Sequence, residues 1–383
     1  MPRSLRTVLS EKRILVCAGS GGVGKTTTAA AIGLEGARTG LATLVLTIDP
    51  AKRLANSLGI ERLDHSERRV PPEILRAAGP VHRGGELYAM MLDQKRAFDE
   101  VVERYAADPA ARDRILENRI YEQISSSLSG SHEYAAMAKL QQLDRDGRYD
   151  LIVVDTPPTA HALDFLDAPE KVAGAIDSPA LEWFAKPMRA TGRFSLKLAG
   201  AGGTFVLKRI AKFVGSSFLE DMARFFVEFN DVLGGFRERA REVFDLLRTP
   251  KVGFVLVAAP EPTVVDEVLF FQQRLASSNM PFSGFVVNRV HAEAPPAPDP
   301  GELASQLRAQ DALARFSDEE IASARDALLA AYRELGALAE ADRLQILRLR
   351  QAAADQPVAT VPFLARDVHD VTSLALLARH IFA

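Results

Sequence analysis

The stretch Ile14–Thr28, I-L-V-C-A-G-S-G-G-V-G-K-T-T-T, constrains the fold more than any other part of the chain. It opens as a short apolar run, Ile14 to Ala18, and passes through a glycine-dense turn, Gly19 to Gly24. Lys25 and Thr26 follow, and then an alanine-rich segment that favours helix. Strand, glycine turn and helix make the setting of a phosphate-binding loop. Glycines let backbone N–H groups converge on an anion without Cβ clashes, and the following helix aims its positive end at the same point. Gly19, Ser20, Gly21, Gly22, Val23 and Gly24 are the expected cradle, with Thr27 closing it. Lys25 is placed to reach the terminal phosphates, and the Thr26 hydroxyl to sit on Mg²⁺.

The same glycines also match G-x-G-x-x-G, the dinucleotide fingerprint. Asp49, at the end of the next apolar run, stands where such a site places its ribose-binding acid. The glycines alone do not choose. The Lys25-Thr26 pair does, because G-x-x-x-x-G-K-[ST] is the more restrictive pattern.

At 383 residues the chain is long enough for a large core, as one big α/β domain or as two or three smaller ones. Its net charge of −3 gives no whole-protein attraction to nucleic acid or to an anionic membrane, so no nucleic-acid partner is expected. The single cysteine, Cys17, lies inside the first apolar run and reads as a small core residue. One cysteine also excludes a Cys-rich zinc or iron–sulfur site within one chain. No apolar run approaches the roughly 20 residues of a membrane span, and Met1–Arg13 does not read as a secretory signal, so a cytoplasmic location is expected.

Further along, Thr27–Thr39 reads as a helix and Ala42–Ile48 as a strand buried on both faces. That strand runs into Asp49-Pro50-Ala51-Lys52-Arg53, and Asp49 is either a site carboxylate or a helix N-cap. Arg62–Gly85 reads as an irregular connection and Leu87–Leu92 as a strand. Gln94–Gln142 reads as mostly helical, capped by Asp93 and broken at Ser125–Ser131. Leu151–Val154 is a buried strand ending in Asp155, the Walker-B arrangement that orders Mg²⁺ directly or through water. Thr156-Pro157-Pro158-Thr159 after it has the make-up of a segment that answers to a γ-phosphate, and His161 either touches the site or caps a helix. Ser178–Leu247 carries apolar residues at helical spacing, with Phe225, Phe226 and Phe229 crowded together. Its two readings are ordinary amphipathic packing and a hydrophobic groove for a partner helix or membrane surface. Val252–Ala258 and Gly284–Val287 read as strands, followed by Glu261 and Asn288. Asn288 is a turn residue or an amide that reads an adenine edge. Pro300–Arg350 has helical composition with Ser317-Asp318-Glu319-Glu320 as a start signal, and Thr360–Leu364 and Val371–Phe382 read as a last strand and helix.

Strands alternating with helices predict an α/β fold with a mostly parallel sheet of the P-loop NTPase type. The loop, Asp49, Asp155, Glu261 and Asn288 are then expected at one sheet edge, around ATP and Mg²⁺. The parts match phosphoryl transfer to water, with Asp49 positioning or activating that water.

These motifs resemble the ArsA family of P-loop ATPases, of the deviant Walker A type. Its loop, G-K-G-G-V-G-K-T-T, is similar to Gly19–Thr27; its first switch resembles Asp49-Pro50-Ala51; its second resembles Asp155–Leu163; its final nucleotide-proximal loop resembles Val361-Pro362-Phe363-Leu364. The resemblance implies one ATPase domain over 1–383 with helical insertions at about 94–145, 178–248 and 300–350. It implies Asp49 and Lys25 as catalytic residues, Thr26 and Asp155 on Mg²⁺, and Glu261 and Asn288 as nucleotide contacts. It also implies a homodimeric switch that handles a hydrophobic helix client or a membrane protein. Ser20 departs from the family's signature lysine, which transfers any activating cation elsewhere, as to Lys52 or Arg53. The family's metalloid-binding cysteines and the C-x-x-C clasp of its tail-anchor factor have no counterpart, which argues against arsenite activation. The missing lysine also motivates an alternative, a non-hydrolysing ATP-binding scaffold.

Overall fold

The computed structural model describes residues 3–48, 52–118, 121–122, 125, 131–156, 225, 229, 232, 235, 238, 241–293, 297–313 and 315–383. Eight strands form one sheet: β1 (Ile14–Gly19), β2 (Ala42–Thr47), β3 (Arg68–Arg69), β4 (Glu86–Met91), β5 (Leu151–Asp155), β6 (Val252–Ala258), β7 (Phe282–Val290) and β8 (Val358–Pro362). Their order is β3-β4-β2-β5-β1-β6-β7-β8. All neighbours are parallel except the antiparallel pair β3–β4. The expected α/β fold with a mostly parallel sheet is therefore observed.

Every residue of β1, β5 and β6 is buried, because helices cover both faces. On one face Ile14, Val16, Ile152, Val154, Phe254 and Leu256 pack under α5 (Gln94–Tyr105), α7 (Ser131–Asp146) and α8 (Pro262–Ser277). On the other, Leu15, Cys17, Val153, Val255 and Val257 pack under α2 (Lys25–Arg38) and α11 (Val371–Ile381), with α1 (Leu5–Glu11) alongside. Each fully buried Leu, Ile, Val or Phe contributes about 1.5–3 kcal/mol over exposure, so the central strands are the most costly part of the chain to open.

β1 is central for a topological reason. The chain leaves it toward β2 and β4 on one side, returns to β5 beside it, and then crosses to β6, β7 and β8 on the other. The carboxyl end of β1 is thus where the order reverses, the place at which open α/β sheets hold ligands.

The structure corrects the reading in three places. Arg62–Gly85 is not irregular throughout, since it holds β3 and a helix, α4 (Pro72–Ala77). Both are too short to show a period, and α4 buries only Leu75. The helical stretch from Pro300 is divided into α9 (Pro300–Arg308), a 3₁₀ turn at Asp311–Leu313 and α10 (Asp318–Ala353), which starts at the expected Ser317–Glu320 capping box. The last strand is displaced toward the N-terminus, Val358–Pro362 against the expected Thr360–Leu364. α3 (Lys52–Ser57) and α6 (Pro109–Leu116) lie among the other described helices.

Candidate functional site

The glycine turn sits between β1 and α2 at the carboxyl edge of the sheet. Gly24 caps α2 in the left-handed region, at φ 93°, and supplies no side-chain cap. The first-turn N–H groups of Lys25, Thr26 and Thr27 lack intrahelical acceptors, and α2 has no acidic residue in that turn. The positive end of the helix is therefore left for an external anion. Gly21 and Gly22 are exposed, and a Cβ built on Gly22 meets nothing within 4 Å, so the turn opens to solvent on that side. Val23 is buried, and Thr26 and Thr27 are half-buried.

The back of the turn is tightly held. A Cβ on Gly19 would stand 2.0 Å from the Val257 carbonyl oxygen of β6. A Cβ on Gly24 would stand 2.4 Å from the Asn288 Nδ2, which itself donates to the Val23 carbonyl at 2.9 Å. Asn288 Oδ1 accepts from the Arg289 N–H at 3.0 Å, and Arg289 has φ 61°. Here the Asn288 amide ties the end of β7 to the glycine turn. Gly24→Ala is expected to combine left-handed strain with displacement of that amide. The thermal midpoint should drop by several degrees, for a loss of about 1–3 kcal/mol, and the anion affinity should fall with it; calorimetry and ligand titration of one preparation check both.

Lys25 is only 7% exposed, and its Nζ donates to the Ser20 carbonyl at 2.8 Å. The Ser20 hydroxyl is turned toward α8, where it donates to Glu267 Oε2 at 2.5 Å. Asp155, at the end of β5, is 1% exposed and lies in register with Cys17 of β1 and Thr47 of β2. The Thr47 hydroxyl donates to Asp155 Oδ2 at 3.0 Å. Thr156 donates through its hydroxyl to the Cys17 carbonyl at 2.9 Å, pinning the start of the following segment to β1. Burial pushes the Cys17 thiol well up, and the charge of Asp155 adds to this while that of Lys25 opposes it. The thiol stays protonated and inert.

Glu261 is the exposed N-cap residue of α8 and makes no side-chain capping bond. The expectation at Asp49 lies outside the described residues, as do those at Pro157–His161; Ile48, just before Asp49, donates its N–H to the Asp155 carbonyl at 3.3 Å. Sequence reasoning missed Thr47, the role of Thr156 toward β1, and Glu267. Thr47 carried a signal, a hydroxyl at a strand end beside the site; Glu267 carried none.

Lys25, Thr26 and Asp155 are brought to one edge, around the turn. Their donor set suits a nucleotide with a hard cation: a hydroxyl and a carboxylate are what Mg²⁺ takes beside substrate phosphates. Among the described residues there is no cluster of three His, Cys, Asp or Glu suited to hold a metal by itself, and no helix long and apolar enough to cross a membrane. Of the described aromatic residues of the 178–247 stretch, Phe225 and Phe229 are buried core, stacked at 5.0 Å with Phe229 edge-on to Tyr121, and Phe244 is half-buried against that core. The groove reading for the rest of that stretch lies outside the described residues.

Comparison with known proteins agrees with this geometry. The family described as anion-transporting ATPase matches residues 12–313. The chain is 27% identical to the ATPase GET3 of Malassezia globosa, over 46% of this chain and 48% of that protein. It is 26% identical to the putative arsenical pump-driving ATPase 1 of Aquifex aeolicus, over 67% of this chain and 57% of that protein. It is 26% identical to the ATPase ASNA1 homolog of Cryptosporidium parvum, over 82% of this chain and 76% of that protein. The chain thus spans about half the length of the first two of these relatives. The family match covers most of the chain and takes in the glycine turn, Asp155 and Asn288: this chain belongs to the ArsA anion-transporting ATPase family.

Proposed function

We propose that the chain hydrolyses ATP to ADP and phosphate at the β1–α2 turn. The observation that carries this reading is the buried Lys25 ammonium at the head of an uncompensated helix N-terminus, with Asp155 one strand away. The backbone N–H groups of the turn and of the first turn of α2 bind the phosphates. Lys25 exchanges the Ser20 carbonyl for phosphate oxygens. Thr26 and Asp155 would hold Mg²⁺, which would neutralise charge on the phosphates. Asp49 orients the attacking water and takes its proton, and Thr47 and Thr156 hold the strand ends around the reacting groups. Catalysis is positioning and charge neutralisation, with no covalent intermediate.

The finer part of the proposal is a homodimer that closes on ATP and opens after hydrolysis. It rests on the single phosphate loop in the sequence and on the family resemblance. A hydrophobic helix or membrane-protein client completes it, with Ser178–Leu247, most of which lies outside the described residues, as the candidate stretch. The departure at Ser20 supports a second reading, an ATP-binding scaffold without turnover.

Phosphate release and thermal shift measured together separate these readings. The expected result is Mg²⁺-dependent release that chelation stops, stabilisation by ATP–Mg²⁺ and not by NAD, and faster turnover with a hydrophobic helical peptide. Tight ATP binding with release at the buffer background selects the scaffold. Stabilisation by NAD alone overturns the assignment of the site.

A further inference from the structure

Ser20 stands at the second position of the glycine turn and is 5% exposed. A buried hydroxyl needs a partner, and the partner is specific: Oγ donates to Glu267 Oε2 at 2.5 Å, within the range of a hydroxyl bonded to an ionised carboxylate. The topology explains how a residue so distant in sequence arrives there. β6 pairs with β1 to its last residue, Gly19 opposite Val257, and leads through Glu261 into α8. Glu267 lies six residues beyond that cap, about 9 Å along the helix axis. α8 is itself anchored: Val265, Val268, Phe271 and Leu275 are buried against the sheet, Asp266 pairs with Arg348 of α10 at 2.5 Å, and Gln272 donates to the Ala352 carbonyl at 2.7 Å.

Ser20 is thus held at two points, its hydroxyl by Glu267 and its carbonyl by the Lys25 ammonium at 2.8 Å. We propose that Glu267 is a positioning residue of the phosphate loop: through Ser20 it fixes the first half of the glycine turn to α8 and sets the resting place of Lys25. The side chain at position 20 serves its own chain, and its carbonyl is the group that Lys25 leaves when a phosphate arrives. This inference rests on the reading of the turn as an ATP site.

The test uses the full-length chain, first without ligand. Amide hydrogen exchange over residues 19–26 should accelerate about five- to tenfold in Ser20→Ala and in Glu267→Ala, as expected for losing one hydrogen bond of ordinary net strength to an exposed carboxylate, while β1 and β6 keep their protection. Glu267→Gln retains an acceptor for the hydroxyl and should restore most of the protection. The double alanine variant should be no faster than either single one. Titration with ATP–Mg²⁺ should show the same ranking, with Kd raised about five- to tenfold in the alanine variants and brought back toward wild type by glutamine. Loop exchange and Kd unchanged in both alanine variants would overturn the proposal, as would additive effects in the double variant. Wild-type chain that binds no ATP overturns the site reading instead, and the exchange rates still decide whether Glu267 holds the loop. Should Glu267→Ala lose global protection, Ser20→Ala, a removal of one oxygen, decides alone.

Discussion

Lys25→Ala is expected to lower the affinity for ATP–Mg²⁺ about 100-fold while the fold persists. The ammonium is buried at the first position of α2 and donates to a carbonyl of the turn, so it is already desolvated and aimed before any ligand binds. In the proposed reaction it turns from the Ser20 carbonyl to charged phosphate oxygens. A hydrogen bond to a charged group contributes roughly 1.5–3 kcal/mol, and about 2.7 kcal/mol corresponds to a factor of 100. Folding does not depend on it in the same degree. Removal of a buried ammonium relieves a desolvation cost as it leaves a small gap, so the thermal midpoint should move by only a few degrees. Lys25→Arg should not restore binding, because a planar fork does not replace a compact charge in a turn whose walls are backbone. Calorimetric titration measures both variants. An alanine variant that binds ATP within threefold of wild type would show that the phosphates sit elsewhere.

How much of this was legible in the chain depends on what kind of regularity each part carries. β1, β2, β5 and β6 were readable because strands covered on both faces are continuous apolar runs. β3 and α4 were not, since two residues and six residues carry no period. The candidate site divides along the same line. Lys25, Thr26 and Asp155 follow from local spacing, because their chemistry is set by the strand or turn that precedes them. Glu267 does not, as its partner is 247 residues away and nothing in α8 marks one exposed carboxylate from another. Asn288 reads from the sequence as a turn residue or a nucleotide contact; its described bonds run to Val23 and Arg289, which only the pairing of β6 with β7 and β1 reveals. The crowding of Phe225, Phe226 and Phe229 left two readings, ordinary packing and a groove; the two described rings, Phe225 and Phe229, are packed in the core beside Tyr121. Periodicity counts apolar residues and is silent on whether a partner for them lies within the chain.

Asp49→Asn is expected to cut turnover by about 1,000-fold and to leave ATP affinity within about threefold of wild type. A positioned general base contributes roughly 10²- to 10⁴-fold, and Asn matches Asp in size but does not take up a proton. The residue follows the end of β2, where the Thr47 hydroxyl meets Asp155 and the Ile48 N–H meets the Asp155 carbonyl. Asp49 itself lies outside the described residues; Ile48, the last described residue before it, is held at Asp155, the carboxylate proposed to sit on Mg²⁺. The substitution also separates the two roles that Asp-Pro allows. Asn caps a helix as well as Asp does, so a residue that only capped α3 would keep its turnover as Asp49→Asn and lose stability as Asp49→Ala. A residue that positions the attacking water would lose turnover in both variants, while the thermal midpoint separates them. Single-turnover phosphate release with ATP prebound measures the chemical step apart from binding. Undiminished release in Asp49→Asn would remove Asp49 from the mechanism and leave the proton acceptor to be sought among the other groups at the carboxyl ends of β1, β2 and β5.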